Sequence, residues 1–339
     1  MSAKINLSSV LSAGLMAIAT SLAACNSRTE TISNQQESSP TATAKQIPSA
    51  TEKSEKLPLV VATNSVTCGL TKQIAGDTID LKCLIDPGSD PHVYQPKPED
   101  RKAIESAQLV LYGGYDFEPS LIKLIQATSS ASPKIAVDEI AVPNPQKFEQ
   151  DGKNVPDPHV WHNAQNGIEI AKTISKNLTV LRPDKSETYA KNTTKITNEL
   201  TQIDGWIRSQ IATIPVSSRK LITTHDALGY YAKAYNLPLE GALSGISTDE
   251  RPTPTRVKEL VKVIKESNVP TIFAEITINP KLIEAVAKEA NVKVSERELY
   301  ADGLGEKGSE GETYAGMLIA NTRTIVEGLG GKYTPFQLK

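Results

Sequence analysis

The sequence carries no surplus of charge of either sign: 37 basic side chains stand against 39 acidic ones, a formal −2 over 339 residues. No basic stripe is available to displace counterions from nucleic-acid phosphates, and none to hold a polybasic patch on anionic lipid. Histidine is scarce, with four in the chain. None of them falls in an HxH or HxxxH pattern, and no HExxH helix of a zinc protease is present. No repeat of solenoid type is visible. What remains is an ordinary globular composition, 39% hydrophobic and 22% charged. A chain of this length favours two domains over one, since single cores rarely grow past about 250–300 residues.

The first stretch departs from that composition. Lys4 precedes an apolar run from Ile5 to Ala19, and no acidic residue appears before Glu30. A charged start, an apolar middle and small residues behind it make a secretory signal; the alternative is a single membrane anchor, for which about 20 apolar residues are required. Leu22-Ala23-Ala24-Cys25 decides between them. It resembles the lipobox of bacterial lipoproteins, which implies cleavage after residue 24 and a diacylglycerol thioether on Cys25. Acyl chains would then hold the protein at the membrane. Residues 26–56 are polar and cannot bury enough surface to fold. As a tether they would reach on the order of 30 Å. With Cys25 lipidated, Cys68 and Cys83 form an even pair in an oxidising compartment, either a disulfide or two small buried thiols.

From Leu57 onward, short β-branched runs alternate with helical stripes, the pattern of parallel βαβ sheets. Strands are expected at 58–63, 78–85, 108–112 and 134–137, then at 220–224, 237–241, 271–276 and 292–296. Between the two sets, Tyr189, Ile196, Leu200, Ile203, Ile207 and Ile211 recur at helical spacing. They predict one helix of roughly 40 Å from about residue 184. The fold class is therefore α/β. Two βα lobes are expected at 57–183 and 214–339, each with a mainly parallel four-stranded sheet, joined by one long helix over 184–213.

Three histidines stand in comparable places, in loops after expected strands. His92 lies in Asp90-Pro91-His92, His159 in Asp157-Pro158-His159 and His225 in Thr224-His225-Asp226. Asp302 follows the last expected strand. In open α/β sheets ligands bind beyond the carboxyl ends of the strands, so these loops can converge on one cleft. Three neutral imidazoles and one carboxylate make an N3O site suited to zinc, whereas manganese prefers more oxygen. Taken singly, each histidine is as well explained as a surface or core residue.

Five spaced stretches carry a wider resemblance: Asp90-Pro91-His92 with Tyr94 and Pro96; Asp157 through Trp161; Thr224 through Tyr231; Gly245 through Thr248 with Pro252 and Pro254; and Tyr300-Ala301-Asp302 through Met317. Over residues 57–330 the chain resembles the zinc/manganese solute-binding receptors of ABC importers. The resemblance implies metal held between two lobes by His92, His159, His225 and Asp302, with a permease in the cytoplasmic membrane as partner. It also implies a monomer facing the periplasm or cell exterior. Receptors similar to the manganese branch carry Glu at the place of His225. His here favours Zn2+, while Mn2+ stays open because no histidine-rich loop falls near 141–155. Glu275 resembles a carboxylate that orients an imidazole through its free N–H. His162 is a weaker ligand candidate, and Asp90 and Asp157 are expected to brace their loops.

Two competing functions are weaker. An exported zinc hydrolase would need an open coordination position and a general base, for which only Glu275 offers itself. A surface adhesin has no direct support. The match of Gly303-Leu304-Gly305-Glu306-Lys307-Gly308 to GxGxxG lacks the following strand and acidic residue of a dinucleotide site. Those glycines are expected to shape the loop that presents Asp302.

Overall fold

In the computed structural model, each β-branched run becomes a short strand and each 3.6-residue stripe a helix. The structure describes residues 56–150 and 153–339. The expected signal segment 1–24, Cys25 and the tether up to residue 55 lie outside the described residues. Among those described, no helix is long and apolar enough to cross a membrane.

The first half runs β1 (Leu59–Ala62), α1 (Ser65–Ala75), β2 (Asp80–Cys83), α2 (Pro98–Ser106), β3 (Leu109–Tyr112), α3 (Pro119–Ala127), β4 (Lys134–Ala136) and α4 (Val137–Ala141). The strands form one parallel sheet of order β2-β1-β3-β4, with Val60 opposite both Leu81 and Leu109. Helix starts follow local chemistry. Asn64 caps α1 by accepting the Thr67 N–H at 2.9 Å, and Pro98 and Pro119 open α2 and α3 where a missing N–H costs nothing. Cys68 and Cys83 are bonded, with their Cα atoms 5.8 Å apart. The bond ties the start of α1 to the end of β2, at the base of the loop that carries His92.

An antiparallel hairpin follows, β5 (Lys147–Gln150) and β6 (Lys153–Pro156). Its strands are short and polar and gave no sequence signal. Next come α5 (Ala164–Leu181) and α6 (Ser186–Ile211), separated by a 3-10 turn at Pro183–Lys185 that delays the long helix by two residues.

The second half runs β7 (Leu221–Thr223), α7 (Gly229–Tyr235), β8 (Leu239–Ala242), α8 (Pro254–Ser267), β9 (Thr271–Ile272), α9 (Lys281–Ala290), β10 (Lys293–Val294) and α10 (Tyr314–Gly328). β7 pairs with β8 and β9 with β10, all parallel. The Phe273 N–H donates to Ile222 O at 3.0 Å and joins the two pairs. The spatial order β8-β7-β9-β10 thus repeats that of the first sheet. Asn236, Asn268 and Asn291 end α7, α8 and α9 in the left-handed region, with φ of 54°, 57° and 59°.

Two apolar clusters are local. Leu84, Ile104, Leu121 and Ile125 lie under α2 and α3, and Leu260, Ile264, Ile283 and Val286 lie under α8 and α9. The largest cluster is shared by the two halves, running from Val60 and Leu70 through Ile174, Ile196 and Ile203 to Met317 and Ile325. Helix α6 therefore does not stand clear between the lobes. Its stripe of Tyr189, Ile196, Leu200, Ile203 and Ile207 is buried against α1, α5 and α10, making a common back layer. The opposite edges of both sheets, where the strands end, are left to form the site.

Candidate metal centre

Each candidate ligand sits just beyond a strand or its extension. His92 lies in the loop from β2 to α2, and Asp90 Oδ1 accepts its N–H at 2.9 Å. His159 precedes the 3-10 turn Val160–His162. His225 is two residues past β7. Asp302 follows β10, after Leu299 bridges in parallel to Glu275.

These four side chains converge. Their ligand atoms all lie within 4.8 Å of one another, and all four residues are buried. Asp302 Oδ1 is 3.1 Å from His225 Nε2 and 3.5 Å from both His92 Nε2 and His159 Nε2. His92 Nε2 and His159 Nε2 are 3.2 Å apart. A tetrahedral ion bound at about 2.0–2.1 Å holds its ligand atoms about 3.3–3.4 Å apart, so these separations suit one small cation. Asp302 Oδ1 and His225 Nε2 are buried without a hydrogen-bond partner, and such groups are rare in folded proteins unless something else satisfies them.

The outer atoms of His159, His225 and Asp302 are tied down. Glu275 Oε1 accepts the N–H groups of Thr224 (2.9 Å) and His225 (3.0 Å), and its Oε2 takes the His225 Nδ1–H in a short hydrogen bond. Asp157 Oδ1 accepts both the backbone N–H and the Nδ1–H of His159, each at 2.9 Å. With Nδ1 carrying the hydrogen, Nε2 of both rings presents its lone pair to the cluster. Thr277 Oγ1 donates to Asp302 Oδ2 at 2.9 Å, which leaves Oδ1 free for a cation.

Charge reinforces geometry. Burial works against ionising Asp302, yet the imidazoles around it, His225 foremost, hold its carboxyl well below the usual carboxylate range. Burial opposes protonation of His225, but Asp302 and Glu275 lift it well above an ordinary imidazole. His159 is raised by Asp157 and Asp302 against the same opposition from burial. A negative pocket of this kind is ready for a cation, with protons as the competitor.

The secondary candidates separate. Glu275 orients His225; both its oxygens are engaged, so it is not poised as the general base of a hydrolase. Asp90 braces the His92 loop and also accepts from Thr248 Oγ1 at 2.6 Å, reaching across to the second half. His162 is fully buried but outside the ligand cluster, with Nε2 on the Ala301 carbonyl. The ring contact of Asp157, the Thr277 bond and the edge-on packing of Phe117 against His92 (centroids 5.1 Å apart) were missed from sequence. Only Asp157 carried a signal, its place two residues before His159. The glycines after Asp302 pack a loop: a Cβ on Gly303 would lie 2.4 Å from Ser65 Oγ, and Gly308 has φ +87°. Beside His92 opens a cleft of about 700 Å³, walled by Tyr115, Asp116, Glu139, Ile246 and Asp249.

Known proteins resemble this chain in sequence and in fold. A manganese ABC transporter substrate-binding lipoprotein, PsaA of Streptococcus mitis, is 34% identical over 277 residues, covering 80% of this chain and 88% of that one. A metal ABC transporter substrate-binding lipoprotein, SsaB of Streptococcus sanguinis, matches over the same shares at the same identity. The solved periplasmic zinc-binding protein TroA of Treponema pallidum superposes with a TM-score of 0.76 at 30% identity, covering 80% of this chain and 99% of that one. Residues 60–328 match the family described as zinc-uptake complex component A, periplasmic. The chain belongs to that family, whose members are substrate-binding receptors of ABC importers and not enzymes.

Proposed function

We propose that this chain is an exported, lipid-anchored receptor that captures one divalent transition-metal ion on His92, His159, His225 and Asp302 and delivers it to an ABC permease, with zinc preferred over manganese. The observation that carries it is the convergence of three imidazole Nε2 atoms and one carboxylate oxygen in a buried cluster. The metal is cargo here, and the chain's residues only hold and release it. Residues 57–183 and 214–339 supply the two walls and the helix over 184–213 backs both. Cys25 is the lipid anchor and residues 26–56 its tether.

Zinc is favoured by the donor set. Borderline zinc binds well to imidazole nitrogen, and manganese stands lowest in the divalent affinity order and prefers oxygen. The second reading, a manganese or dual zinc/manganese receptor, is supported by the relatives named for manganese. Competition titration against a chelator of known affinity, with His225→Glu beside the parent, separates the two. The parent is expected to prefer zinc by orders of magnitude, and His225→Glu to narrow the gap by trading a nitrogen ligand for oxygen. Comparable or tighter manganese binding by the parent would move the assignment to the second reading.

A further inference from the structure

His159 and His162 share one short segment, yet their rings go to different tasks. His162 Nε2 lies 2.7 Å from the carbonyl oxygen of Ala301, 139 residues away in sequence and immediately before Asp302. A carbonyl can only accept, so Nε2 carries the hydrogen and Nδ1 the lone pair. Burial and the neighbouring His159 push the ring's pKa down to about 3, so it stays neutral. Nδ1 is buried without a partner. An apolar side chain would fill the same space without that penalty, so the position gains from the single bond that Nε2 makes.

That bond completes a frame around one ligand. From α10, Asn321 Oδ1 accepts the Tyr300 N–H and its Nδ2 donates to Tyr300 O, both at 2.9 Å. Thr277 holds the outer oxygen of Asp302. Both of these come from the second half of the chain. His162 comes from the first half, on the segment that positions His159, and Tyr314 OH ties the same segment back by donating to Trp161 O at 2.5 Å. We propose that His162 is a positioning residue that registers Asp302 against His159 across the two halves, and so sets how fast the bound ion leaves. The inference rests on the metal-receptor function proposed above.

The test compares His162→Met with His162→Gln, side chains of similar length of which only glutamine can donate to Ala301 O. Zinc release into excess chelator is followed by stopped flow. The visible spectrum of the Co2+ complex reports ligand geometry, and thermal melting checks folding. Loss of an outer-shell partner typically weakens metal sites about 10–100-fold. His162→Met is expected to speed zinc release by that factor and to alter the Co2+ bands, while His162→Gln keeps release and spectrum close to the parent. Parental release and spectrum in His162→Met, or equal acceleration in both variants, would overturn the inference while leaving the receptor function intact. A parent that binds neither zinc nor Co2+ would sink both.

Discussion

Replacing Asp302 with alanine is expected to lower zinc affinity on the order of a thousandfold. Structural zinc sites bind with about 10–16 kcal/mol shared among four ligands, which makes each worth roughly 2.5–4 kcal/mol, or about two to three powers of ten. Asp302 belongs at the upper end of that range. It is the one anionic donor within the cluster, it is fully buried, and it lies within 3.1–3.5 Å of all three Nε2 atoms. Without it, the ion would enter a buried site with no anionic donor in contact with it, the carboxylates of Glu275 and Asp157 lying behind the imidazoles, and burying a poorly compensated charge is costly. Competition against a chelator measures the loss directly, with circular dichroism confirming the fold. A decrease below about tenfold would mean the carboxylate does not touch the metal.

The second large effect is on pH. His159 and His225 both hold protons more tightly than an ordinary imidazole, whose pKa is about 6.5: burial opposes this, but Asp157 and Asp302 outweigh it for His159, and Asp302 and Glu275 for His225. Metal binding requires both Nε2 atoms unprotonated. Affinity is therefore fullest above their raised pKa values and is lost as pH falls through them. The dependence begins at higher pH than an unperturbed histidine would set. Asp302, held low, adds no proton competition in this range. The expected slope approaches two powers of ten in affinity per pH unit below about 6.5, one for each displaced proton. Calorimetry in two buffers of different ionisation heat counts those protons. Affinity that is flat between pH 5 and 7.5 would contradict the assignment of these rings as ligands.

The parallel sheets were legible because their strands are buried β-branched runs, as at Leu59–Ala62 and Leu221–Thr223. The long helix was legible because one face repeats an apolar residue every third or fourth position. The β5–β6 hairpin was not, since Lys147–Gln150 and Lys153–Pro156 are mostly polar in sequence and pair only with each other. The part played by α6 in a shared back layer depends on α1, α5 and α10 meeting it, which no local pattern encodes. In the site, His92, His159, His225 and Asp302 could be named from their places after strands together with the family resemblance. Thr277, Asn321 and the Ala301 bond of His162 could not, because each acts through a contact fixed only by the tertiary fold. Glu275 was found by resemblance alone; its three N–H partners at Thr224 and His225 became visible only once β7 and β9 lay side by side.

Zinc K-edge X-ray absorption of the one-zinc complex shows whether these four side chains form one metal site. The expected result is a single shell of four nitrogen or oxygen neighbours at about 2.0–2.1 Å, with the outer-shell scattering of three imidazoles, falling to two in His225→Ala. A six-coordinate oxygen-rich shell, a sulfur neighbour, or a spectrum unchanged in His225→Ala would contradict it.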